Sequence, residues 1–173
     1  MSKDYTKDHD QIVAIDPGAN GGLAFWRKGA HMEDISCGPM PKTRVDLAEL
    51  IDDIVHLDFE CTLFVVEDVP KFIAGMNTPP SAMAKLHQNF GFLLGAISSY
   101  VYGQQLERSV QLLLRKPSEW QKAVNAGTKA YWGKDWKHHL KELACSLYPA
   151  HSREITLKTA DAMLILAPYI NRV

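Results

Sequence analysis

Cysteine is scarce in this chain. Cys37, Cys61 and Cys145 stand far apart and odd in number, which supports neither a disulfide framework nor a zinc knuckle. They read as reduced packing residues. No run of about 18 apolar residues occurs, so no membrane-spanning helix is expected. The polar start MSKDYTKDHD lacks the apolar centre of a secretory signal. A soluble, cytoplasmic protein is the expectation, with an organelle left open. Repeats and low-complexity segments are also missing, which sets aside solenoids and disordered tracts. The Gly-rich GANGG at 18–22 has no Lys or Ser/Thr of a P-loop, so nucleotide binding by that route is not expected.

What is present is an ordinary globular composition in a chain of 173 residues, enough for one domain with a sizeable core. The expected division is a flexible tail over 1–10 and a single domain over 11–173. Net charge is −1, but it is unevenly placed: residues 1–70 carry 14 acidic and 6 basic side chains, and residues 71–173 carry 6 and 13. Within 115–141, seven Lys and Arg face only Glu119 and Asp135, interleaved with three Trp, one Tyr and two His. Such a stretch suits a phosphate backbone; a solvated basic helix face explains it equally well.

QIVAID (11–16) and GLAFWR (22–27) read as strands joined by a Gly-rich turn, with HMEDISC (31–37) as a third. Residues 43–57 carry apolar positions at helical spacing behind Thr43 as N-cap. CTLFVVE (61–67) is a buried strand, and the strand-helix-strand order implies parallel pairing. A long apolar helix over 81–102 precedes a strand at 109–115. Pro117 opens a short helix, and helices at about 134–147 and 155–170 complete the chain. The sum is an α/β fold, a mixed sheet of about five strands with helices on its faces.

Asp16 and Glu67 end two predicted core strands, the edge at which open α/β sheets bind ligands. Asp16 alone is also explained as a turn residue, and Glu67 as strand termination. Asp161 adds weight, because the positions three and four away are Leu157, Lys158, Leu164 and Ile165, placing it on or beside an apolar helix face. A buried carboxylate needs a cation or a shifted pKa. Lys158 is one available partner; Mg²⁺, or Mn²⁺, shared with Asp16 and Glu67 is the other, since acids without His or Cys suit hard cations. A pair of such ions activates water and steadies the leaving oxygen in phosphodiester cleavage.

IVAIDPGANGGLAFW, LFVVEDVP, AKLHQNFGFLLGAI, LRKPSEWQKAV and TADAMLILA, in this order, resemble a RuvC-type Holliday junction resolvase of the ribonuclease H-like superfamily. The resemblance spans about residues 11–170. Its Pro-x-x-Trp segment is most similar to the phage and organellar branch. It implies a homodimeric, magnesium-dependent endonuclease that places paired nicks in four-way DNA, with Asp16, Glu67 and Asp161 matching the metal-binding acids. The family commonly has a fourth acid about one turn before the last. Here that region reads Leu157 and Lys158, a departure that opens a second reading: a junction-binding protein with lost or reduced cleavage. A third is a ribonuclease H-like nuclease for another branched or RNA-containing substrate. Lys158 is assigned as a catalytic residue that contacts the scissile phosphate or tempers the negative charge.

Lys116, Lys122, Lys129, Lys134, Lys137 and Lys141 are the expected backbone contacts, which position DNA without reading sequence. Trp120 is expected to anchor its helix in the core, and Tyr131, Trp132 and Trp136 to meet DNA or a loop. By the resemblance, Phe72 in the loop after Glu67 wedges into the junction centre; packing beneath its own loop is the alternative. A near two-fold junction suits an isologous dimer, with the 81–102 helix as the expected interface.

Overall fold

The run IVAI is wholly buried because its strand is covered on both faces. In the computed structural model, which describes residues 5–29, 35–57, 59–69, 79–103 and 109–171, the chain runs α1 (Tyr5–Asp8), β1 (Gln11–Ile15), β2 (Gly22–Arg27), β3 (Ser36–Pro39), α2 (Arg44–His56) and β4 (Cys61–Glu67). There follow α3 (Pro80–Tyr102), β5 (Ser109–Arg115), α4 (Pro117–Ala123), α5 (Lys129–Trp132), α6 (Trp136–Leu147) and α7 (Ala160–Leu166). The strands form one sheet in the order β3-β2-β1-β4-β5. β2 and β3 pair antiparallel, while β1, β4 and β5 run parallel. This is the mixed five-stranded sheet expected from the sequence.

Successive side chains of β1 point to opposite faces. Ile12 and Ala14 pack with Leu63 and Val65 of β4 against Trp120, Leu140 and Met163 from α4, α6 and α7. Val13 and Ile15 pack with Phe64 and Val66 against Ile51 of α2 and Leu93 and Ile97 of α3. A buried side chain of this size contributes about 1.5–3 kcal/mol through removal from water. The two clusters therefore hold the central strands from both sides, as parallel strands require.

Thr43 caps α2 by accepting from the Asp46 N–H, as its position in the sequence predicts. Residues 5–10, expected as part of a tail, are docked: α1 sets Tyr5 edge-on to Tyr169 at 4.8 Å, and His9 is buried. The third strand lies at Ser36–Pro39, overlapping only the end of the predicted 31–37; residues 31–34 fall outside the described residues. α7 is much shorter than the helix expected over 155–170. Thr156 and Thr159 hydrogen-bond to each other's backbone N–H groups at 2.9 and 3.3 Å, building a separate turn that offers the backbone an alternative to helix. The helix starts only beyond it. No helix among the described residues is long and apolar enough to cross a membrane.

Candidate active site

Parallel pairing matches Ile15 with Val66, so one step further along both strands stand Asp16 and Glu67, side by side at the C-terminal edge of the sheet. The Asp16 N–H closes the β1–β2 hairpin on the Gly22 carbonyl at 2.9 Å, and its Oδ1 accepts from the Gly18 N–H at 3.1 Å. The turn role and the strand-end placement thus coexist in one residue. A Cβ on Gly21 would stand 2.7 Å from the Asp16 Cγ, so only glycine leaves room for this carboxyl group. Glu67 accepts a 2.7 Å bond at Oε2 from the Trp120 indole N–H. Trp120 is therefore the expected core anchor, 3% exposed, and in addition orients an acid, which its spacing did not reveal.

Asp161, in the first turn of α7, is buried. Gly22 makes its approach possible: a Cβ there would meet the Gly38 and Lys158 carbonyls at 2.7 and 2.9 Å. The segment leading into α7 thus lies directly against β2. The partner of Asp161 is Lys137 of α6, whose Nζ stands 2.5 Å from Oδ2. It is not Lys158. Because the Thr156–Thr159 turn interrupts the helix, Lys158 does not lie one helical turn below Asp161, and its side chain is exposed, as is Leu157. Asp161 Oδ1 is buried and has no hydrogen-bond partner among the described residues.

The electrostatics bind these groups into one site. Burial, then the charge of Asp161, pushes the Asp16 pKa up. Burial, then the charge of Asp16, pushes Glu67 up to about 8, against the opposing Trp120 hydrogen bond. Burial alone would depress the Lys137 ammonium, but Asp161, with Asp16 and Glu67 beyond it, holds its pKa above the ordinary lysine value. The charge of Asp161 raises the Asp16 pKa, both acids raise that of Glu67, and one lysine faces all three, so the site is short of positive charge. Asp16, Glu67, Lys137 and Lys158 line a single open cleft of about 780 Å³.

A hard divalent cation fits this donor set. The oxygens on offer are all carboxylate, one of them buried and unsatisfied, which suits a hard cation. Asp16, Glu67 and Asp161 are the residues that would hold it. Among the described residues no three His, Cys, Asp or Glu side chains form a ready-made metal cage, and Lys137 takes part of the cation's place at Asp161.

The other expected contacts divide. Lys137 belongs to the acid cleft, while Lys122 and Lys129 line a separate polar basin with Ser118, Gln121, Asn125 and Thr128. Lys116 precedes α4, where its N–H donates to Glu119 at 3.0 Å; Lys134 is exposed and Lys141 half-buried. Trp136, expected at DNA or in a loop, is instead 7% exposed in the core. Its place in the first turn of α6 turns it inward beside Leu140. Phe72 lies outside the described residues. The sequence places Lys137 among the DNA contacts; only the packing of α6 on α7 reveals it as the partner of Asp161.

The strand order, the parallel pairing of β1, β4 and β5, and the layered helices define an α/β fold of the ribonuclease H-like class. Solved structures that share it include Thermus thermophilus RuvC in complex with a Holliday junction substrate, at a TM-score of 0.53 and 15% identity, and Thermus thermophilus RuvC itself, at 0.52 and 16%. Each match covers 93% of this chain and 95% of the other. No family model matches the sequence, and no curated protein matches it.

Proposed function

We propose that this chain is a divalent-metal-dependent endonuclease that places paired nicks in four-way branched DNA. The observation that carries the reading is that Asp16 and Glu67 line one cleft with Lys137, which pairs with the buried Asp161 of α7, whose Oδ1 is left unsatisfied. The RuvC fold, solved elsewhere with a Holliday junction substrate, supports this substrate class. The Pro117–Trp120 segment supports a place with the phage and organellar branch.

When bound, Mg²⁺ or Mn²⁺ supplies Lewis acidity that lowers the pKa of water and stabilises charge on phosphate oxygens. Two such ions are the proposed complement. Asp16 and Glu67 hold their side of the cleft rigidly, one through the hairpin turn and one through Trp120. Lys137 tempers the charge at Asp161, the role first expected of Lys158. Lys158, on the rim of the same cleft, is left to contact the incoming phosphate. Lys116, Lys122, Lys129, Lys134 and Lys141 track the backbone, and Phe72 enters the junction centre. A homodimer packed through α3 sets two clefts on opposed strands.

A second reading, junction binding with little cleavage, is favoured by the lysine already paired with Asp161 and by the missing fourth acid at Leu157 and Lys158. A labelled four-way junction, a matched duplex and an RNA/DNA hybrid, each with Mg²⁺ and with chelator, separate the readings. Paired nicks in the junction alone, lost on chelation, support the nuclease. Binding without nicks supports the second reading, and hybrid cleavage alone points to another ribonuclease H-like substrate. Asp16→Asn is expected to abolish cutting and retain binding; retained cutting removes the site assignment.

A further inference from the structure

Where α5 meets α6, three rings form an ordered cluster. The His139 and Trp132 rings are parallel within 10° at a centroid distance of 3.9 Å. Tyr131 meets Trp132 edge-on at 5.3 Å. His139 is fixed from behind, its Nε2–H donating to the Ala126 carbonyl at 2.9 Å, and the buried Trp136 ring lies tilted beside it at 5.8 Å. The Tyr131 N–H donates to Thr128 Oγ1 at 3.4 Å. Gly127, at φ +78°, passes the Trp132 indole edge, 3.5 Å from where its Cβ would be. This rigid assembly nonetheless opens to solvent: Tyr131 is 82% exposed and Trp132 37%.

The surroundings are basic. Lys129 and Lys134 bracket Tyr131 and Trp132 in sequence, and the basin holding Lys122, Asn125, Thr128 and Lys129 begins at the same Gly127–Thr128 turn, with a volume of about 530 Å³. Neither Lys122 nor Lys129 makes an ion pair among the described residues. Flat π faces beside unpaired cations fit a nucleobase and its phosphate.

We propose that Tyr131 and Trp132, backed by His139, form a stacking platform for one unpaired nucleobase of a DNA strand whose phosphates lie in the Lys122–Lys129 basin. The proposal rests on the nucleic-acid reading above and deepens it. Lys137 and His139 are two residues apart in a helix, so they point about 200° apart across a cylinder about 10–12 Å wide. The base on the platform is thus not the nucleotide at the acids but a neighbour that has left its pair. The platform selects for locally unpaired DNA.

The test uses the full-length protein with chelator, a short oligothymidylate, a fully paired duplex, and a junction with 2-aminopurine at the crossover. Tyr131→Ala and Trp132→Ala are expected to weaken oligothymidylate binding about tenfold each and to abolish 2-aminopurine quenching, with duplex affinity unchanged. Trp132→Phe, which keeps a π face, is expected to bind nearly as wild type. Unchanged oligothymidylate affinity overturns the proposal and assigns the rings to a protein contact. Equal losses on oligothymidylate and duplex also overturn it. Metal-dependent cutting by the same variants separates the two readings: a platform that stacks bases in a protein that never cuts sinks the nuclease and leaves the platform standing.

Discussion

At the residue scale, the decisive contact is the one between Lys137 and Asp161. The placement of two of the acids was legible, because Asp16 and Glu67 each directly follow a buried apolar run, and the parallel pairing of β1 and β4 sets them side by side. Their cation was not. Spacing along α7 pointed to Lys158, whereas the ammonium arrives from α6, through packing that no local period encodes. Lys137→Met leaves Asp161 buried with neither oxygen satisfied. Breaking a fully buried pair costs about 3–5 kcal/mol, and solvent at the half-exposed lysine reduces that to about 1–2 kcal/mol. In chelator, the variant is expected to melt about 5 °C below wild type. Saturating Mg²⁺ is expected to close most of the gap, as the ion takes over the lost charge. Calorimetry with and without metal checks this, and a gap indifferent to Mg²⁺ would show that Asp161 does not face the ion.

At the element scale, what the sequence made plain were the long, strongly patterned pieces: α2 with its Thr43 cap, the strands of 11–16 and 61–67, and α3. What it hid were the boundaries set by side-chain turns. The Thr156–Thr159 pair looks like helix by pattern, yet each hydroxyl satisfies backbone that a helix would otherwise bond. That turn reaches the sheet only because Gly22 has no side chain. Gly22→Ala places a methyl group between the Gly38 and Lys158 carbonyls, backbone on both sides, so α7 has to shift. Overpacking of this kind costs about 1–3 kcal/mol. Cleavage is expected to fall far more than stability, since Asp161 moves with the helix. Paired measurements of melting temperature and nicking rate on Gly22→Ala check it; a rate that tracks stability alone would mean that α7 tolerates the shift.

At the scale of the whole molecule, the acidic N-terminal half and basic C-terminal half meet at the cleft, where Asp16 and Glu67 stand with Lys137 and Lys158. The two buried acids set a pH dependence. Glu67 has its pKa raised from 4.5 to about 8, and Asp16 is raised as well. Between those values the folded protein binds more protons than the unfolded chain, so stability declines as pH rises. The contribution is complete below about pH 4.5 and is lost by pH 8, where Glu67 ionises in the fold against Asp16 and Asp161. Metal-free protein is therefore expected to melt progressively lower from pH 5 to pH 8. Glu67→Gln is expected to flatten that slope, because the amide does not ionise. On the proposed function Mg²⁺ is expected to act oppositely: bound by the ionised carboxylates, it would give a stabilisation that grows with pH and is largest near pH 8. Melting curves across this range, with chelator and with Mg²⁺, should diverge toward alkaline pH for wild type and stay closer together for Glu67→Gln. Parallel wild-type curves would mean that the ion and the ionised Glu67 do not share the cleft.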